Sequence, residues 1–139
     1  MTMIFDEFVK QGKVIIGEKD REKAKALVKM SENNRKVIET IELTETTASP
    51  VFSLLYESLR EIIEAMCLLE GYKVYSHEAF TSYLERIHEE KIAVVFDRFR
   101  KLRNGINYYG KPVSINVTSE AKKEIANLSK ILREKYLKF

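Results

Sequence analysis

The stretch from Ser49 to Gly71 constrains the fold more than any other part of the chain. Phe52, Leu55, Tyr56, Leu59, Ile62, Ile63, Met66 and Leu69 recur at three- and four-residue spacing, so at about 100° per residue they share one face of a helix. Ser49 suits the N-cap and Pro50 the first helical position, where a missing N–H costs nothing, and Gly71 is placed to end the helix. A stripe this long must be buried against other helices, which makes the segment the core helix of an all-α protein. Glu57, Glu61 and Glu64 stand on its flank and leave three readings open: a solvated acidic face, partners for Arg100 or Arg103, or ligands of a divalent cation.

Other periodic stretches supply the partners. Ile4, Phe5, Phe8 and Val9 make residues 3 to 10 a short amphipathic helix, and Gly12 and Gly17 bracket Val14-Ile15-Ile16, read as a loop or tight turn. From Lys19 to Thr46 the residues Ala24, Leu27, Val28, Val37, Ile38 and Ile41 recur at helical spacing, with a bend at Asn33-Asn34. Ser76 is expected to cap a helix whose Phe80, Tyr83, Leu84 and Ile87 point inward. A further helix runs from Glu90 to Tyr109, Lys111-Pro112 forces an extended exit, and Thr118 or Ser119 caps a last helix with Ile125, Leu128 and Leu132 inside. The expectation is an all-α up-and-down four-helix bundle with an additional short N-terminal helix, in a single domain over residues 1–139.

Composition fits one core and leaves no room for a second: the chain has 139 residues, 45% of them hydrophobic. The net charge of +3 is too small to mark a nucleic-acid binder by itself, but its distribution is uneven. From Glu39 to Glu70 there are seven acids and one base, whereas from Arg98 to Lys111 there are five bases and no acid, so the helix ending at Tyr109 should present an anion-attracting surface. No apolar run is long enough to span a bilayer, the first residues carry no signal pattern, and the lone Cys67 lies in an apolar helical run; the expectation is a cytoplasmic chain with a buried structural thiol and no membrane partner. Abundant Lys, Glu and Ile without Trp hints at a thermophile. His77 and His88 are the only histidines, eleven residues apart, and do not form a metal pattern. His88 is either a surface residue or a proton donor folded close to Arg103.

The chemistry concentrates in Phe99-Arg-Lys-Leu-Arg-Asn-Gly-Ile-Asn-Tyr-Tyr-Gly110. Ile92, Val95, Phe96, Phe99, Leu102, Ile106 and Tyr109 form the apolar face of this helix. Arg103 falls on its edge, and Arg100, Asn104 and Asn107 continue from it as a polar strip beside the core. A partly desolvated guanidinium seeks an anion. Gly105 either permits a close backbone approach or precedes local unwinding. On an unbroken helix Tyr108 points about 140° away from Arg103, so the two meet only if the helix ends near Asn107 or a second subunit supplies the tyrosine.

Arg103-Asn104, followed after three further residues by Tyr108, resembles the signature of HEPN domains, the nucleotide-binding helical domains of higher eukaryotes and prokaryotes, in which Arg and a polar residue are followed after a few spacers by His. In ribonuclease members the Arg stabilises phosphate charge and the His transfers protons, paired across a homodimer. Here positions 108, 109 and 110 are Tyr, Tyr and Gly, so no imidazole stands at any of the family's spacings. The long helix before Gly71, the Ser76-His77-Glu78 helix start and the last helix after a Gly-Lys-Pro turn extend the resemblance over residues 19 to 139. It implies a non-catalytic HEPN-like module that binds nucleotide or RNA through Arg100, Arg103, Asn104, Asn107, Tyr108 and Tyr109, or docks a minimal nucleotidyltransferase as in toxin–antitoxin systems. It also implies a homodimer through the motif helix, with no cofactor and no metal. One alternative is a weak metal-independent endoribonuclease using Arg103 and Tyr108. An ordinary phenol, with a pKa of ~10, is deprotonated in about one molecule in a thousand at pH 7, so Tyr108 suits proton donation better than abstraction. The other alternative is a helical interaction protein with no ligand.

Overall fold

A computed structural model describes residues 4–139. The chain is all-α: helices α1 (Phe5–Lys10), α2 (Arg21–Glu39), α3 (Ala48–Leu69), α4 (His77–Arg86), α5 (Glu90–Tyr109) and α6 (Ile115–Tyr136) are joined by short connections. Four helices are long, α2, α3, α5 and α6, while α4, the helix expected after Ser76, has ten residues. The expected start of α1 at residue 3 lies outside the described residues.

Helix α3 is central. Fourteen of its 22 residues are buried, too many for a single face, so it is surrounded rather than flanked. It packs against α2, α4, α5 and α6, and Phe52, Tyr56, Leu59 and Ile63 are sealed from solvent at its middle. Its start differs from expectation. The helix begins at Ala48 behind Thr47, whose hydroxyl is drawn to the Glu42 carbonyl and the Thr44 N–H, while Ser49 Oγ accepts from the Val113 N–H at 3.0 Å. Ser49 thus joins the α3 start to the segment entering α6 instead of capping its own helix.

Helix α2 runs unbroken through Asn33-Asn34 and ends at Glu39, short of Thr46; Asn34 is used sideways, its Nδ2 donating to Glu61 of α3 at 2.8 Å. Ser31 Oγ donates to the Ser58 carbonyl at 2.6 Å in the same interface. Helix α6 starts earlier than Thr118, with Ser114 accepting from the Val117 N–H at 3.1 Å; Thr118 is buried and donates to the Ala48 carbonyl at 3.0 Å.

Val14–Ile16 is a strand, β1, not a loop. It pairs antiparallel with β2 (Tyr72–Val74), Val14 opposite Val74 and Ile16 opposite Tyr72. Gly71 leaves α3 with φ +86 and its N–H bonded to the Leu68 carbonyl, the left-handed exit expected of it. The exit also places Gly71 against Gly17, whose N–H donates to the Gly71 carbonyl at 2.8 Å. The ribbon fixes where α4 begins, and α4 begins with His77.

Candidate functional site

Helices α3, α4 and α5 converge on an aromatic floor. The Tyr56 and Phe96 rings stack at 5.4 Å, Phe80 stands edge-on to Phe96 at 6.3 Å, and the His77 imidazole lies over Tyr56 at 5.7 Å. Arg103, one turn beyond Phe99 on α5, reaches across this floor. Its Cζ sits 4.9 Å from the Tyr56 ring centroid, and its Nη2 is 2.6 Å from His77 Nδ1. Guanidinium over a phenol ring is a cation–π contact in a partly desolvated place.

Proton positions follow from the donor inventory. A guanidinium has only donors, so His77 Nδ1 accepts from Arg103, and the neutral imidazole carries its proton on Nε2. The Tyr56 hydroxyl lies 2.8 Å from the same Nδ1 and is itself hydrogen-bonded by Arg103. Among the described residues nothing hydrogen-bonds Nε2, and it is not among the sealed polar atoms, so it meets solvent. Burial, followed by repulsion from Arg103, Arg60 and Arg100 and opposed by Glu57, pushes the His77 pKa down to about 4. Burial pushes the Tyr56 phenol up to about 12, with Arg103 pulling the other way. At neutral pH the site is therefore one cation against two neutral rings.

The neighbouring arginines are already paired. Arg60 donates to Glu57 and Glu64, each at 2.8 Å, and Arg100 donates to Asp97 at 2.9 Å, a carboxylate shared with Lys101 at 3.1 Å and with the Thr81 hydroxyl at 3.0 Å. Burial alone would raise Asp97, but these donors hold it below the usual carboxylate range. Arg103 has no carboxylate within bonding distance among the described residues, and its Nε is buried without a partner. It is the half-buried cation of this region that no acid neutralises.

The sequence-derived strip is divided by the fold. Arg103 and Asn104 are half-buried; Asn107 is exposed, and neither amide side chain has a hydrogen-bond partner among the described residues. Arg100 is held by Asp97 and is less available than expected. Tyr108 and Tyr109 are 70% and 74% exposed. The helix stays intact through Tyr109 and closes on Gly110 at φ +60, so Gly105 marks no unwinding, and a Cβ there would meet only Lys111 Cβ at 3.7 Å. Tyr108 therefore remains around the helix from Arg103 and does not meet it within its own chain, contrary to a catalytic pair within one subunit. Tyr109, expected on the apolar face, lies beyond the core's edge.

His88 is no substitute donor: it is exposed in a left-handed connection at φ +64, 3.6 Å from Glu90. The imidazole that reaches Arg103 is His77, missed by sequence reasoning. Its one signal was position, the first residue of the helix following the core helix, where a neutral ring suits the positive helix end. The glutamates of α3 divide as well: Glu57 and Glu64 clamp Arg60, and Glu61 is buried against α2, where burial raises its pKa against the pull of Asn34. The three do not converge on a cation, and among the described residues no cluster of three His, Cys, Asp or Glu side chains could hold a metal ion. Cys67 is fully buried, and burial pushes its thiol well above the usual range, which makes it a poor nucleophile. Among the described residues no helix is long and apolar enough to cross a membrane. Compared with known proteins, the chain matches no family model, no curated protein and no solved structure.

Proposed function

We propose that this chain is a HEPN-like, non-catalytic module that binds nucleotide or RNA along α5, with Arg103 as the phosphate-binding group. One observation carries the reading: a half-buried guanidinium with no carboxylate partner among the described residues, seated on a phenol ring, with Asn104 and Asn107 following it on α5. A phosphate oxygen supplies the acceptor that the chain withholds. The exposed rings of Tyr108 and Tyr109 offer stacking surface for bases, which is worth about 1–3 kcal/mol per base. A second copy packed along α5 would bring its own Tyr108 toward the first copy's Arg103. A minimal nucleotidyltransferase is the protein partner this reading implies.

The test is an anisotropy titration with RNA and with ATP. Losing a charged hydrogen-bonding partner costs about 1.5–3 kcal/mol, so Arg103→Ala should weaken binding by about ten- to a hundredfold. Arg103→Lys should recover little, because a lysine cannot present a planar fork over Tyr56. No binding of either ligand by the wild type would leave a helical interaction protein instead.

A second reading, metal-independent ribonuclease, draws support from the imidazole against Arg103. It asks His77 for proton transfer, yet in the empty site Nδ1 is committed to Arg103, and a ring with a pKa of about 4 carries no second proton there at neutral pH. Structured RNA incubated in EDTA should therefore stay intact; cleavage that disappears in Arg103→Ala would put the enzyme first.

A further inference from the structure

The contact between Arg103 and His77 works only while Nδ1 is unprotonated. A doubly protonated imidazole has no acceptor, so proton uptake at Nδ1 and the 2.6 Å bond from Arg103 Nη2 exclude each other. The groups facing the ring are Tyr56, Glu57 and Arg60 from α3 and Arg100 and Arg103 from α5, with Glu78 following on α4 itself. Glu57 and Arg60 are paired with each other, and Arg100 is paired with Asp97. The uncompensated charge beside the ring is therefore that of Arg103, and an anion bound to Arg103 cancels it at close range.

We infer that His77 is a second anion-binding group of this site, one that takes up a proton as the anion draws Arg103 off its Nδ1. The inference rests on the reading of Arg103 as the anion-binding residue. In the empty site the neutral imidazole seats the guanidinium. When a phosphodiester arrives, its negative charge offsets the repulsion that adds to burial in keeping the ring neutral, a proton from solvent adds to Nδ1, and Arg103 exchanges the imidazole for a phosphate oxygen. His77 then presents two N–H donors and a positive charge to the anion. Binding becomes linked to pH with a definite sign: affinity rises as pH falls from 7.5 to 5.5, by up to about tenfold per unit where the proton is taken up.

The test uses the full chain and an oligouridylate without terminal phosphates, a probe that neither takes up nor releases protons in this range. Calorimetric titration at pH 5.5 in two buffers of different ionisation enthalpy should show uptake of up to about one proton per site. His77→Gln should bind at pH 7.5 and take up none at pH 5.5. Because the chain has two histidines, proton NMR of the unmutated protein gives an independent reading: one imidazole signal, separated from His88 by a His88→Gln variant, should move to the imidazolium position on saturation. Binding with no buffer-dependent heat and an unmoved signal, or uptake that persists in His77→Gln, overturns the inference and leaves the Arg103 reading standing. No binding of the oligouridylate at any pH overturns both.

Discussion

His77 is neutral because the fold has buried it beside guanidiniums, and that condition is reflected in stability. Its pKa in the folded chain, about 4, lies below the ~6.5 of an unfolded histidine, so the folded state binds fewer protons in between. The resulting stability is complete above pH ~6.5 and is lost as pH falls toward the folded value. The ring is only about half-buried, so screening reduces the effect to about 1–2 kcal/mol. Thermal melts between pH 7 and 5 should therefore show a smaller loss for His77→Gln than for the wild type; parallel losses would mean the ring is not held neutral by the fold. Arg103 was legible in the sequence because helical periodicity places it on the edge of an apolar face. His77 was not, because its partner is 26 positions away and a residue at the first turn of a short helix belongs to no repeating stripe. Tyr108 turns away from Arg103 because α5 continues unbroken past it, as helical geometry requires.

At the scale of elements, stripes were easier to read than boundaries. The apolar repeat of α3 identified the central helix, yet its start and that of α6 were misassigned, since Ser49 and Thr118 are polar residues spent on tertiary bonds to Val113 and Ala48 rather than on capping. Ser114→Ala should cost about 1 kcal/mol in a denaturant titration, whereas Ser119→Ala, which removes no cap, should be near neutral. The ribbon was invisible because three residues per strand are too few to show alternation. Its tightest point is Gly71, where a Cβ would lie 2.4 Å from the Gly17 carbonyl oxygen at a φ of +86. Gly71→Ala should lower stability by about 2 kcal/mol or more, while Gly17→Ala, with open space around it, should cost less; equal effects in thermal melts would contradict this packing.

At the scale of the molecule, the unequal distribution of charge along the chain becomes a distribution in space. Of the five bases between Arg98 and Lys111, Asp97 and Glu124 already hold Arg98, Arg100 and Lys101, so among the described residues Arg103 is the base on this stretch of α5 without an acid partner and Lys111 follows beyond the helix. RNA affinity should fall with rising salt, and Arg103→Ala should flatten the slope of log K against log salt by about 0.7, the share of one phosphate contact on a single strand. An unchanged slope would place the contact elsewhere. Chain order has its own consequence for the Arg103 seat. During synthesis the phenol of α3, the paired strands and the first residue of α4 all leave the ribosome before Arg103 does, so of the groups that meet in this contact the guanidinium is the last to emerge.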